Sequence, residues 1–231
     1  MTHALVIRHH VEDDAGLIGD AFSARGWSMS TVMFDREHPT PALDDVDALV
    51  ILGSNAAVYD PEVRAAWFER ELDLLADAHA RGLPILGICF GAQALCELAG
   101  GAVNKAAVGE SGWHTIDVVA GRDLPAGPWF EYHGDECQLP PTATVWATSP
   151  AAVQAFTWGP HLGVQFHPEV DAEQLERWFD SENGAPRAHD DRQLEFLRQA
   201  RDLASEARHR ADVLVGLFLD HAETAISEVT Q

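Results

Sequence analysis

The chain has 231 residues, enough for one large α/β domain, and 46% of them are hydrophobic, which excludes general disorder. Its 37 acidic and 15 basic residues give a net charge of −22, a surface that repels phosphate backbones and anionic membranes, so nucleic acid and membrane are excluded as partners. No apolar run reaches the roughly 18–20 residues that cross a bilayer, and the first residues lack the charged and apolar regions of a signal peptide, so the expected location is cytoplasmic.

In chain order, Ala4 to Ile7 form a short apolar run suited to a buried parallel strand. Residues 12–25 read as a helix stopped at Gly26, and residues 28–34 as the next strand. Pro39 and Pro41 mark a loop. A third strand runs from Asp47 to Leu52 and ends at Gly53. Pro61 opens a helix reaching about His79, with Gly82 and Pro84 as its stop signal. Residues 84–88 read as a fourth strand, and 90–99 as a helix closed by Gly100 and Gly101. This alternation predicts a mainly parallel sheet with helices on its faces. The pattern then changes: 113–120, 142–148, 153–158 and 162–166 are β-rich, and either extend the sheet or form an antiparallel flap beside it. Residues 171–180 read as a helix, 181–186 as a polar break, and about 190–225 as a helical tail in which Leu194, Leu197, Ala200 and Leu203 recur at helical spacing.

The three cysteines, Cys89, Cys96 and Cys137, have no CxxC spacing, which argues against a disulfide framework or a thiolate zinc site. Cys96 sits in an apolar helix and reads as core; Cys137 reads as a loop residue. Cys89 differs. The segment Gly87-Ile88-Cys89-Phe90-Gly91-Ala92-Gln93 joins a buried strand to a helix. A nucleophile at such a corner sits on a strained backbone, and Gly87 and Gly91 leave room for the turn to close. The corner lies at the carboxyl edge of the sheet, where open α/β folds place ligands. The N–H of Phe90 would face an oxyanion formed beside Cys89. A buried inert cysteine between two glycines is the alternative that this segment alone leaves open, and the catalytic reading is favoured over it.

Among twelve histidines, His167 is the informative one. It follows an apolar strand, is stopped by Pro168, and has Glu169 two residues on, near enough to hold the ring and stabilise imidazolium. Taken alone, a surface His–Glu turn fits as well. His9 and His10 are adjacent on a strand end, so they point to opposite faces and make a poor joint metal pair; His133 and Cys137 are four apart, but they read as loop residues, where that spacing does not put them on one helix face.

Together, Gly87 to Gln93 with the following Ala-Leu, and Gln165-Phe166-His167-Pro168-Glu169 about 70 residues further on, resemble the class I (triad-type) glutamine amidotransferase family. Leu52-Gly53-Ser54-Asn55 falls where this family has its glycine-rich oxyanion loop, although Gly-Gly-Pro is usual there, and Val58-Tyr59-Asp60 follows the family pattern. Glu110-Ser111-Gly112-Trp113, Tyr132-His133-Gly134-Asp135 and Val153-Gln154-Ala155-Phe156 are similar to stand-alone members like the amidotransferase part of GMP synthase.

The resemblance implies an α/β fold with a mainly parallel open sheet and helices on both faces, flavodoxin-like, with a β-rich flap and a helical C-terminal tail. Residues 1–185 would form the amidotransferase domain and 186–231 a helical extension packed on it. It implies a triad of Cys89, His167 and Glu169, with the amides of Gly53 and Phe90 as the oxyanion hole. Gln93 would bind the amide end of glutamine. The loop around Val153, Gln154 and Ala155 would hold the α-amino and carboxylate end. His133 and Asp135 would line the mouth of the site or, equally, anchor a loop. No metal or organic cofactor is implied. Glutamine is the implied substrate, and a synthetase that activates the ammonia acceptor is expected on a separate chain. Two other readings stay open: a γ-glutamyl hydrolase acting on small γ-glutamyl amines or peptides, and an amidotransferase-like subunit that binds without catalysis.

Overall fold

The computed structural model describes residues 2–35 and 37–229. Its main sheet has eight strands in the order β2-β1-β3-β4-β10-β9-β8-β6. Strands β1 (His3–Arg8), β2 (Ser28–Met33), β3 (Ala48–Ile51), β4 (Ile85–Ile88) and β10 (His161–Val164) run parallel. Strands β9 (Val153–Trp158), β8 (Thr144–Thr148) and β6 (Asp117–Val118) continue the sheet antiparallel.

The unbroken apolar runs follow from burial on both faces. Successive residues alternate between two cores. Ala4, Val6, Val50, Leu86 and Ile88 pack with α1 (Gly16–Ala24) and α7 (Ala204–Val229). Leu5, Ile7, Leu49, Ile51 and Ile85 pack with the opposite helices. Those helices are α4 (Phe90–Leu98) and a long one built from α2 (Pro61–Val63), a π-helical turn (Arg64–Phe68) and α3 (Glu69–Ala80). Asp60 caps that long helix by accepting from the Glu62 N–H, and Pro61 stands in its first turn, where no N–H is needed.

Three expectations are corrected. The helix expected over 12–25 begins only at Gly16, so the residues before it form a loop above the sheet edge. The strand expected over 113–120 is divided. Its start belongs to β5 (Ala102–His114), which pairs with β7 (Trp129–Gln138) in a separate antiparallel ribbon, while β6 joins the main sheet. His133 and Cys137 therefore lie on a strand, not in a loop, with Cys137 opposite Val103. Polar residues hid this strand, because hydrogen bonding to β5 rather than a continuous apolar face defines it.

Helix α5 (Ala172–Asn183) is capped by Asp171, which accepts from Gln174 N at 2.8 Å, and ends at Gly184 in the left-handed region (φ 66°). In the tail, α6 (Asp191–Asp202) puts Phe196, Leu197 and Ala200 against Phe130, Leu175 and Phe179. Helix α7 packs on α1 through Phe22 and Phe218 and an Arg25–Asp212 ion pair. Among the described residues no helix is long and apolar enough to cross a membrane.

Candidate active site

Strand β4 delivers Cys89 to the carboxyl edge of the sheet. Its backbone has φ 52° and ψ −104°, a conformation that L-residues rarely adopt. The surroundings hold it there. Cys89 N–H donates to Val164 O at 2.8 Å, and Cys89 O accepts from Gln93 N at 3.0 Å. The flanking glycines have no room for a side chain. A Cβ at Gly87 would stand 2.5 Å from Gly91 O, and one at Gly91 2.3 Å from Ile51 O.

His167 follows β10. Its N–H donates to Phe130 O at 2.8 Å, which ties it to β7. Its Nδ1 lies 2.7 Å from Glu169 Oε1. An ionised carboxylate only accepts, so Nδ1 carries the hydrogen and Nε2 is left for the thiol of Cys89, which lines the same cavity. Burial by itself pushes the imidazole pKa down. The Glu169 carboxylate and the Cys89 sulfur overcome this and hold it well above the ordinary value. Trp178 meets the ring edge-on, with centroids 5.1 Å apart. Glu169 is fixed through its backbone: its carbonyl accepts from Leu17 N at 2.9 Å, and a Cβ at Gly16 would lie 2.1 Å from that oxygen.

Gly53 closes the site from the end of β3. A Cβ there would stand 3.0 Å from His167 Cε1 and 3.7 Å from Cys89 Cβ. The next residue, Ser54, turns the chain by accepting from Ala56 N–H at 3.1 Å. Cys89, His167, Glu169, Gly53, Ser54 and Asn55 all line one cavity of about 230 Å³.

The opposite wall was not expected. It includes His10, Asp13, Tyr132, Trp178 and Glu182. Asp13 Oδ1 accepts from Trp178 Nε1 at 2.9 Å, joining the loop before α1 to α5. Burial raises the Asp13 carboxyl pKa, and Glu169 adds to the effect. Asp13 was hidden because its segment reads as helix. Trp178 fits an amphipathic pattern whose apolar face reads as core. The one available signal was that α5 follows directly on the His-Pro-Glu segment.

Other expected binding residues are not brought to the cavity. Gln93 is buried on α4 and donates to Gln165 Oε1 at 3.3 Å. Val153, Gln154 and Ala155 lie on β9, not in a loop. Their backbone is engaged in the sheet, where Gln154 O accepts from Gln165 N at 2.9 Å. The Gln154 side chain donates to Glu110 Oε2 at 2.8 Å. His133 joins this brace: Nδ1 is 3.0 Å from Asp135 O, and Nε2 is 3.2 Å from Glu110 Oε2 and 3.4 Å from Glu131 Oε2. Asp135 Oδ1 accepts from the Tyr59 hydroxyl at 2.8 Å.

Glu110, Glu131 and His133 are the cluster with metal-ligand spacing among the described residues. Both ring nitrogens of His133 face acceptors, which an imidazolium satisfies without a metal. Its pKa is raised accordingly, the glutamates outweighing burial. Cys96 and Cys137 are both buried away from the cavity, and the Cys96 thiol donates to Ala102 O at 3.5 Å and Gln138 O at 3.7 Å. His9 and His10 point apart as expected: His10 lines the cavity and His9 turns to Glu71.

The family model for glutamine amidotransferase class-I matches residues 16–179. The chain belongs to that family. A glutamine amidotransferase of Thermotoga maritima superposes with a TM-score of 0.81 and 27% identity, over 96% of this chain and 98% of its own. A putative GMP synthase subunit of Thermoplasma acidophilum shares the fold at a TM-score of 0.62 and 23% identity, over 89% of this chain and 98% of its own. GMP synthase [glutamine-hydrolyzing] of Phenylobacterium zucineum is 32% identical over 151 residues, which are 58% of this chain and 28% of that protein. This family member thus spans about a quarter of the length of the curated relatives it matches.

Proposed function

We propose that this chain hydrolyses the side-chain amide of glutamine through a thioester on Cys89. The observation that carries the reading is the convergence of Cys89, the His167–Glu169 pair and Gly53 on one cavity. His167 takes the thiol proton, and the sulfur adds to the δ-carbonyl. The amides of Gly53 and Phe90 receive the oxyanion. The imidazolium, held by Glu169, passes its proton to the amide nitrogen as the C–N bond breaks, and ammonia leaves. His167 then deprotonates water, which attacks the thioester, releases glutamate and restores the thiol. Each step uses only groups of this chain.

In this reading residues 1–185 form the amidotransferase domain and 186–231 a helical extension on it. That extension supports the site: Phe196 of α6 packs on Phe130, whose carbonyl holds the His167 backbone. The ammonia goes to an acceptor activated by a synthetase on a separate chain, as the name of the Thermoplasma acidophilum relative, a subunit of GMP synthase, suggests. The test is steady-state ammonia release from glutamine by the purified protein, with and without cell extract. Cys89→Ala is expected to abolish release, and stimulation by extract to reveal the partner.

One observation favours a second reading. The cavity wall carries the carboxylates of Asp13 and Glu182, which would welcome an amine cation on the leaving group. A γ-glutamyl amine hydrolase would use the same triad. Higher kcat/KM for γ-glutamyl amines than for glutamine would select it.

A further inference from the structure

Glycine suits position 53, because a Cβ there would press on the His167 ring at 3.0 Å. Glycine, however, leaves the peptide that follows it weakly held. A flip of the 53–54 peptide would exchange the directions of its N–H and C=O groups. A carbonyl turned toward the thiol would repel an oxyanion instead of binding it. The site therefore needs a restraint that the missing side chain cannot supply.

His9 offers one. Its Nδ1 lies 2.9 Å from Gly53 O, and its Nε2 lies 3.0 and 3.2 Å from the two carboxylate oxygens of Glu71. A carbonyl and a carboxylate only accept, so the ring donates from both nitrogens and the Glu71 charge balances it. The pair is buried: side-chain exposure is 2% for His9 and 0% for Glu71. One face of the ring stacks on Trp67 at 5.1 Å, and Phe90 meets it edge-on at 4.9 Å. Trp67 lies in the π-helical turn and Glu71 in the first turn of α3, so the irregular segment of the helix brings both to His9. His9 thus holds the Gly53 carbonyl, which lies in the peptide after the one that carries the Gly53 N–H, and its ring packs on Phe90.

We propose that His9, anchored by Glu71, is a positioning residue that keeps the Gly53 carbonyl engaged and turned from the thiol, and packs the Phe90 corner, so that no carbonyl competes with the oxyanion donors. The inference rests on the amidase reading above. It explains why a buried ion pair, costly to desolvate, stands beside a cavity it does not line.

The test compares His9→Asn, His9→Gln and the double variant His9→Phe/Glu71→Leu. An Asn amide nitrogen reaches the Nδ1 position and can still hold Gly53 O. The Gln amide reaches toward Glu71 instead, and Phe keeps the ring without a donor. Three quantities are read: kcat and KM for glutamine, the affinity of an aldehyde analogue of glutamine that forms a tetrahedral adduct on Cys89, and the rate of Cys89 alkylation by iodoacetamide, which develops no oxyanion. The double variant is expected to lose about 10²-fold in kcat and a similar factor in aldehyde affinity, with KM and alkylation nearly unchanged. His9→Asn should retain more activity than His9→Gln, and this order decides the matter if the double variant does not fold. Equal activity of Asn and Gln, or aldehyde affinity in the double variant within about threefold of wild type, overturns the inference. A wild-type protein inactive on glutamine and on every γ-glutamyl compound overturns the amidase reading and this one with it. Wild-type activity unchanged in the variants overturns this one alone.

Discussion

Two of the buried histidine–glutamate clusters lie close to strand β7: the one at His167, which lines the cavity, and the one at His133, which sits on β7 itself and does not line that cavity. At the first, His167 has Glu169 on Nδ1 and the Cys89 thiol against the ring. At the second, His133 has a backbone carbonyl on Nδ1 and two glutamates facing Nε2. Both rings are raised in pKa by their carboxylates, so perturbation does not distinguish them. The difference lies in what is left over. The first cluster keeps one ring nitrogen for a nucleophile and has access to solvent space. The second has spent every nitrogen on acceptors, which makes it a brace between the β5–β7 ribbon and strand β9. Residue type and burial alone do not make a site; an uncommitted proton position beside a cavity does.

The largest effect that would sharpen this contrast comes from the first cluster. Cys89→Ser is expected to lower glutamine turnover by at least about 10³-fold, and His167→Asn by a similar factor, in steady-state ammonia assays. Glu169→Gln keeps the shape but weakens the hold on imidazolium. It should cost about 10²-fold in kcat with little change in KM. Gly53→Ala drives a methyl to 3.0 Å from His167 Cε1 and is expected to reduce kcat by about 10²-fold, while thermal stability falls by only about 1–3 kcal/mol.

The second cluster should show the opposite balance. His133→Asn leaves Glu110 and Glu131 facing each other without their shared cation. A loss of about 3 kcal/mol in denaturant unfolding is expected, with kcat within a few-fold of wild type. A kcat loss as large as that of His167→Asn would erase the distinction between the two clusters.

The smallest effect is in pH dependence. His133 has a raised pKa in the fold, so its contribution to stability is complete below the unfolded value of about 6.5 and fades as pH climbs through the raised folded value. The His133→Asn protein should therefore lose less stability than wild type between neutral and alkaline pH. A steeper loss in the variant would contradict the imidazolium bridge.

The nucleophile corner and the His-Pro-Glu segment were legible because each is local: a strand end, a turn and a few fixed neighbours within a handful of residues. The parallel half of the sheet was legible for the same reason, since β1, β3 and β4 are uninterrupted apolar runs. Strand β7 was not, because Glu131, His133 and Asp135 form a polar network that no apolar period announces. Nor was the far wall of the cavity, where Asp13 and Trp178 meet from segments 165 residues apart. The expected roles of Val153 to Ala155 came from the resemblance; these residues lie on a strand, where Val153 and Ala155 pair with β8 and Ala155 also with β10, and not in a loop.

The central claim is that Cys89 carries a glutamyl thioester. The direct measurement is acid quenching during turnover of glutamine, followed by mass analysis of the peptide containing Cys89. The account predicts a glutamyl adduct on Cys89 in the wild type, accumulating in step with the first ammonia released and absent from Cys89→Ala. Ammonia release at the wild-type rate by Cys89→Ala, or an adduct on Cys96 or Cys137 instead, would contradict it.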